Sequence, residues 1–168
     1  MKIVLIGYRG TGKSAVGALV AQHLQLSCVG MDAEIVNRAG IPIPEIVEKY
    51  GWPTFRDMES EVARDLAARD HMVIDTGGGV IERAENIVAL QKDAVVIWLK
   101  ASVATIVSRI QGDTQRPSLT GGKSFTEEVE TVLAGRVSKY KQAAQYEIDT
   151  DQLTPKQVAD RVCRIYRR

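Results

Sequence analysis

The stretch GYRGTGKS (7–14) follows directly on the apolar run KIVLI (2–6). It opens into KSAVGALVAQHLQL (13–26), where Val16, Leu19, Val20 and Leu24 recur at helical spacing. A Gly-x4-Gly-Lys-Ser pattern in that setting demands a strand, a tight loop and a helix in succession. Backbone N–H groups of the loop and the helix N-terminus then wrap an anion, the phosphate chain of a nucleotide. Lys13 is placed to reach the β and γ oxygens and Ser14 to ligate Mg²⁺. Gly10, Thr11, Gly12 and Ala15 complete the candidate nucleotide-binding loop. The plain alternative, an ordinary glycine turn, requires neither the strand before nor the helix after.

Apolar runs and helical patterns alternate along the rest of the chain. SCVGMD (27–32), HMVIDT (71–76), DAVVIWLK (93–100) and EID (147–149) read as further strands. Between them AEIVNRAG reads as a helix stopped by Gly40, and IPEIVEKYG as another ending at Gly51. Pro53 opens a longer helix, PTFRDMESEVARDLAARD. KASVATIVSRIQG, EEVETVLAGRVSKYKQAAQY and PKQVADRVCRIYRR give three more. Strand–helix alternation without tandem strands predicts an α/β fold, a parallel sheet covered by helices on both faces. Residues 111–124, QGDTQRPSLTGGKS, lack any periodicity and read as a long loop between two helices, either a lid or simple disorder.

A chain of 168 residues fits one domain, 1–168, around a single core. With 22 basic against 21 acidic residues, the net charge of +1 excludes a global field for nucleic acid or membrane. Anions must be met by locally placed arginines. Cys28 and Cys163 lack metal or redox spacing and read as small buried hydrophobes; His23 and His71 have no metal-ligand spacing. No apolar run reaches the roughly 20 residues of a membrane helix, and no leader precedes the first strand, so a cytoplasmic protein is expected.

A second glycine cluster, Thr76-Gly77-Gly78-Gly79, ends the third strand. Open parallel sheets bind ligands at that end of their strands, and glycines let a ligand approach the backbone. Arg56, Arg116 and Arg136 come from three separate segments, FRDMES, QRPSL and AGRVSKY. Singly, each reads first as a solvated surface arginine.

Taken in order, GYRGTGKSAVG, MDAEIVNRAGIPIPEIVEKYG, FRDMESEV, TGGGV, RPSL and GRVSKY resemble the shikimate kinase family of nucleoside-monophosphate-kinase-like P-loop enzymes. The resemblance covers about residues 2–160. It implies a three-layer sandwich with a five-stranded parallel sheet in the order 2-3-1-4-5, a lid at about 111–124 and a substrate-binding helical segment at about 32–60. It implies Mg²⁺ as cofactor, ATP and shikimate as substrates, and a monomer. By the same resemblance, Lys13 and Ser14 match the phosphate and magnesium residues, and Asp32 the aspartate on the ring hydroxyls of shikimate. Arg56 and Arg136 match the carboxylate-gripping pair. Gly78 and Gly79 match the backbone donors near the substrate, and Arg116 the lid arginine over the transferring phosphate. Arg109 and Pro155 match the residues flanking adenine.

The sequence departs from the family at one point. The family carries Asp-x-Asp at the end of the second strand, its first aspartate holding magnesium through water, whereas this chain has Gly30-Met31-Asp32. Asp75, at the end of the third strand, either replaces the missing carboxylate or caps the following turn. Two other functions compete with shikimate phosphorylation: a related hydroxy-acid kinase such as one acting on gluconate, and a catalytically silent nucleotide-binding relative.

Overall fold

The structure, a computed structural model, describes residues 1–112 and 117–168. Among these, five strands form one parallel sheet: β1 (Lys2–Ile6), β2 (Ser27–Gly30), β3 (Met72–Asp75), β4 (Ala94–Lys100) and β5 (Tyr146–Asp149). Their spatial order is β2-β3-β1-β4-β5, as the family resemblance implies. The central strand β1 is buried along its whole length, and its period of two divides the core. Ile3 and Leu5 face a layer with Val16, Val20, Val158 and Val162. Val4 and Ile6 face the opposite layer with Phe55, Val62, Leu66, Trp98 and Tyr140. A sheet that is apolar on both faces must be covered on both.

Helices α1 (Lys13–Leu24) and α7 (Pro155–Tyr166) cover the first face, joined through Val16, Val20, Val158 and Val162. The other face carries α2 (Met31–Ala39), α3 (Ile43–Ala67), α4 (Ala84–Gln91) and α6 (Phe125–Ala143). Helix α5 (Val103–Ile110) packs beside α6 through Ile106, Ile110 and Val129. Helices α6 and α7 both open on reciprocal caps, Ser124 with Glu127 and Thr154 with Gln157, and Pro155 takes the first position of α7. Among the described residues no helix is long and apolar enough to cross a membrane.

Several local expectations are corrected. The second strand stops at Gly30, not Asp32, because Met31 already opens α2. Asp32 therefore sits in a first helical turn, where a carboxylate suits the positive end of the helix dipole. The expectation of two helices on either side of Gly51 holds: α3 consists of two helical parts separated by a kink at that glycine, whose backbone is non-helical (φ 83°, ψ 166°). Only glycine adopts such a conformation readily. Helix α4 and a 3-10 turn at Val80–Glu82 occupy a stretch read without any element. Cys163 is buried as expected, but Cys28 is exposed on the edge strand β2; both thiols are free.

Candidate active site

The glycine loop joins β1 to α1 at the C-terminal edge of the sheet. Gly7 there has φ 146°, and a side chain on it would collide with the carbonyl of Leu99 on β4. The loop is internally braced: Thr11 donates its hydroxyl to Tyr8 O over 2.8 Å. The Lys13 ammonium donates to Gly7 O at 2.8 Å and Tyr8 O at 3.0 Å. With only 7% of its surface exposed, Lys13 is part of the loop's own architecture.

Ser14, the first-turn serine of α1, donates its hydroxyl to Oδ2 of Asp75 over 2.5 Å. Asp75 ends β3 and stands in register opposite Gly30 on β2. A methyl group built on Gly30 would lie 3.8 Å from that same Oδ2. A hydroxyl and a carboxylate thus converge at the strand ends beside the phosphate loop. Hard oxygen ligands of this kind, completed by substrate phosphates, suit Mg²⁺. Among the described residues no cluster of three or more His, Cys, Asp or Glu could hold a metal by itself.

On the other side of the loop lies a cleft lined by Tyr8, Arg9, Trp52, Arg56, Gly78, Gly79, Pro117, Leu119 and Arg136. Arg56 reaches it from α3, just beyond the turn at Gly51. It donates to Oε1 of Glu59, 2.7 Å away, and its guanidinium carbon is 5.4 Å from the ring centres of both Trp52 and Phe55. The guanidinium lies against Gly79 so closely that any side chain there would overlap it. Arg136 arrives from α6. Its Nε donates to Glu82 Oε1 over 2.9 Å, and it rests over the Tyr8 ring at 5.7 Å. One turn further along α6, the Tyr140 hydroxyl donates to Gly78 O over 2.5 Å, fixing the triple-glycine turn to the helix.

Two carboxylates meet across Gly77. A methyl group there would stand 2.7 Å from Glu59 Oε2 and 3.0 Å from Asp32 Oδ1, so a side chain at position 77 would displace one or both carboxylates. Burial pushes the Glu59 carboxyl above its ordinary range, against the pull of Arg56. Burial likewise pushes up the Tyr140 phenol. Glu82 is held low: burial opposes its charge, but Lys139 and Arg136 outweigh that.

Beyond the loop, Arg109 donates to Gly10 O at 3.1 Å and to the hydroxyl and carbonyl of Thr150 at 3.3 and 3.4 Å. With Thr11, Gly12, Val16, Leu153 and Pro155 it lines a second cleft against the loop.

Of the residues singled out in the sequence, Arg56, Gly78, Gly79 and Arg136 come together in one cleft, and Arg109 and Pro155 in another. Lys13, Ser14 and Asp75 stand at the loop between them, and Asp32 borders Gly77. Arg116 lies outside the described residues. Sequence reasoning gave no role to Arg9, Trp52, Glu59, Glu82 or Glu128. Only Glu59 left a signal, as the final residue of FR-x-x-E, one helical turn from the arginine it holds.

The family model described as shikimate kinase matches residues 9–167. A curated shikimate kinase of Thermodesulfovibrio yellowstonii is 40% identical over 166 residues, covering 99% of this chain and 95% of the relative. A shikimate kinase 2 of an Enterobacter species is 42% identical over 163 residues, covering 95% and 92%. A solved shikimate kinase from Acinetobacter baumannii, in complex with shikimate, superposes with a TM-score of 0.94 at 32% identity, covering 98% of this chain and 92% of that one.

Proposed function

The chain belongs to the shikimate kinase family and is an ATP-dependent kinase, and on that premise we propose which of its residues carry the transfer of the γ-phosphoryl of ATP to the 3-hydroxyl of shikimate. The observation that carries the reading is the meeting of Arg56 and Arg136, from different helices, with Gly78 and Gly79 in one cleft beside the phosphate loop.

Each guanidinium is already oriented by one glutamate, Arg56 by Glu59 and Arg136 by Glu82. Preorganised forks of this type bind a carboxylate in fixed orientation, which turns the ring hydroxyls toward the loop. Asp32 accepts the proton of the attacking 3-hydroxyl. The new O–P bond forms as the bond from the γ-phosphorus to the bridging oxygen breaks, and ADP leaves. Lys13 and Arg116 take up the charge on the transferring group; Arg116 has this role from the sequence alone. Arg109 and Pro155 flank the adenine in the second cleft.

Ser14 and Asp75 would hold Mg²⁺, which when bound neutralises charge on the β and γ oxygens. Catalysis on this reading is positioning and charge neutralisation. A coupled ADP-release assay with shikimate and gluconate as alternative acceptors tests it. Turnover with shikimate is expected; turnover with gluconate alone, or with neither, would overturn it.

A further inference from the structure

Helix α6 begins with two adjacent glutamates that do different things. Glu127 completes the capping box with Ser124, so the helix end is satisfied without its neighbour. Glu128 turns inward and is 4% exposed. Four donors converge on its Oε1: the Ser118 hydroxyl at 2.7 Å, Leu119 N at 2.6 Å, Thr120 N at 2.9 Å and the Thr120 hydroxyl at 3.1 Å. Its other oxygen faces Arg9 of the glycine loop, 3.8 Å from Nη2. Arg9 in turn sits over the ring of Phe125, at the start of the same helix.

A solvated first-turn glutamate complementing the helix dipole would not be buried and would not collect the backbone of another segment. The segment it collects matters, because Pro117 and Leu119 line the same cleft as Arg56 and Gly79. Burial resists the charge on Glu128, but the donors of Ser118, Thr120 and Leu119 hold its carboxyl below the ordinary range all the same. It is a charged acceptor, and each hydrogen bond to it is of the stronger kind.

We propose that Glu128 is a positioning residue of the substrate cleft: it pins Ser118–Thr120 to α6, so that Leu119 forms one wall of the cleft in register with Arg56 and Arg136. Through Arg9 the same carboxylate ties that wall to the phosphate loop. The inference rests on the proposed function, since the cleft it shapes is the one assigned to shikimate.

The test pairs steady-state kinetics with amide hydrogen exchange on the full chain. E128A is expected to raise the KM for shikimate by about tenfold or more, the loss that goes with charged hydrogen bonds, with the KM for ATP moving far less. Exchange at the amides of Leu119 and Thr120 should accelerate by a similar factor while the later turns of α6 stay protected. E128Q keeps the shape and one acceptor oxygen, so it is expected to show both changes at smaller size. It decides the matter if E128A does not fold. A wild-type KM for shikimate in the folded variants overturns the inference even where exchange is faster, since Glu128 then only anchors a loop. Unchanged exchange overturns it as well. A wild-type chain that does not turn over shikimate brings down the functional reading itself, and that failure is read without any variant.

Discussion

Nη1 of Arg56 donates to Oε1 of Glu59 over 2.7 Å, and Glu59 is completely buried while the Arg56 side chain keeps 16% of its surface exposed. The pair spans one turn of α3 and is roofed by the rings of Trp52 and Phe55. Removing one partner of a buried pair leaves the other charge uncompensated and costs about 3 kcal/mol. Glu59→Ala should therefore lower the urea midpoint of unfolding and also weaken shikimate binding, because Arg56 loses its orientation. Equal shikimate affinity in the folded variant, measured by titration calorimetry, would reduce Glu59 to a purely structural residue.

Gly79 offers a cleaner test of the same arginine. A methyl group there would overlap Nη1, Nη2 and Cζ of Arg56, yet it touches no part of the phosphate loop among its three nearest atoms. Gly79→Ala is expected to push the guanidinium out of place. Shikimate affinity should fall by about tenfold or more, as for loss of a charged hydrogen bond, while ADP affinity holds. Parallel losses for both ligands would mean that the substitution deforms the turn as a whole.

Arg56→Lys keeps the charge and loses the fork. Lysine can neither lie flat against Gly79 nor bond Glu59 and a carboxylate in one plane. Shikimate affinity should drop by roughly 10- to 100-fold, again the value of a charged hydrogen bond. A lysine variant that binds shikimate normally would show that charge alone, without planarity, suffices at this position.

Much of this site was open to sequence reasoning where chemistry is local. Gly7 to Ser14 specify strand, loop and helix within a dozen residues, and the alternation of β1 between two cores is written in KIVLI. What escaped was decided by packing between distant segments. Glu82 becomes the partner of Arg136 only because the 3-10 turn after the triple glycine docks on α6, 54 residues away in sequence. Glu128 finds Ser118–Thr120 because the loop folds back on its own helix. Helix α4 was missed because AENIVALQ buries only Asn86 and Leu90, too little to leave an apolar stripe. That Asp75 stands opposite Gly30 follows from strand register, which neither segment encodes alone.

This register gives the last prediction. Position 30 lacks a carboxylate, and Oδ2 of Asp75 occupies the space 3.8 Å from where a Gly30 side chain would begin, already accepting the Ser14 hydroxyl. We propose that Asp75, at the adjacent position on β3, supplies the carboxylate that position 30 on β2 lacks. Asp75→Ala should raise the Mg²⁺ concentration needed for half-maximal rate by about 10- to 100-fold, the typical worth of a residue supporting a metal. The requirement for shikimate should change much less, since Asp75 does not line that cleft. Adding Gly30→Asp to that variant should recover part of the loss, because the new carboxylate enters the space Asp75 left. Adding Gly30→Asp to the wild type should recover nothing and cost stability, since two like charges would then share one site. Unchanged magnesium dependence in Asp75→Ala would leave Ser14 and the nucleotide phosphates as sufficient ligands, with Asp75 serving only to orient the serine.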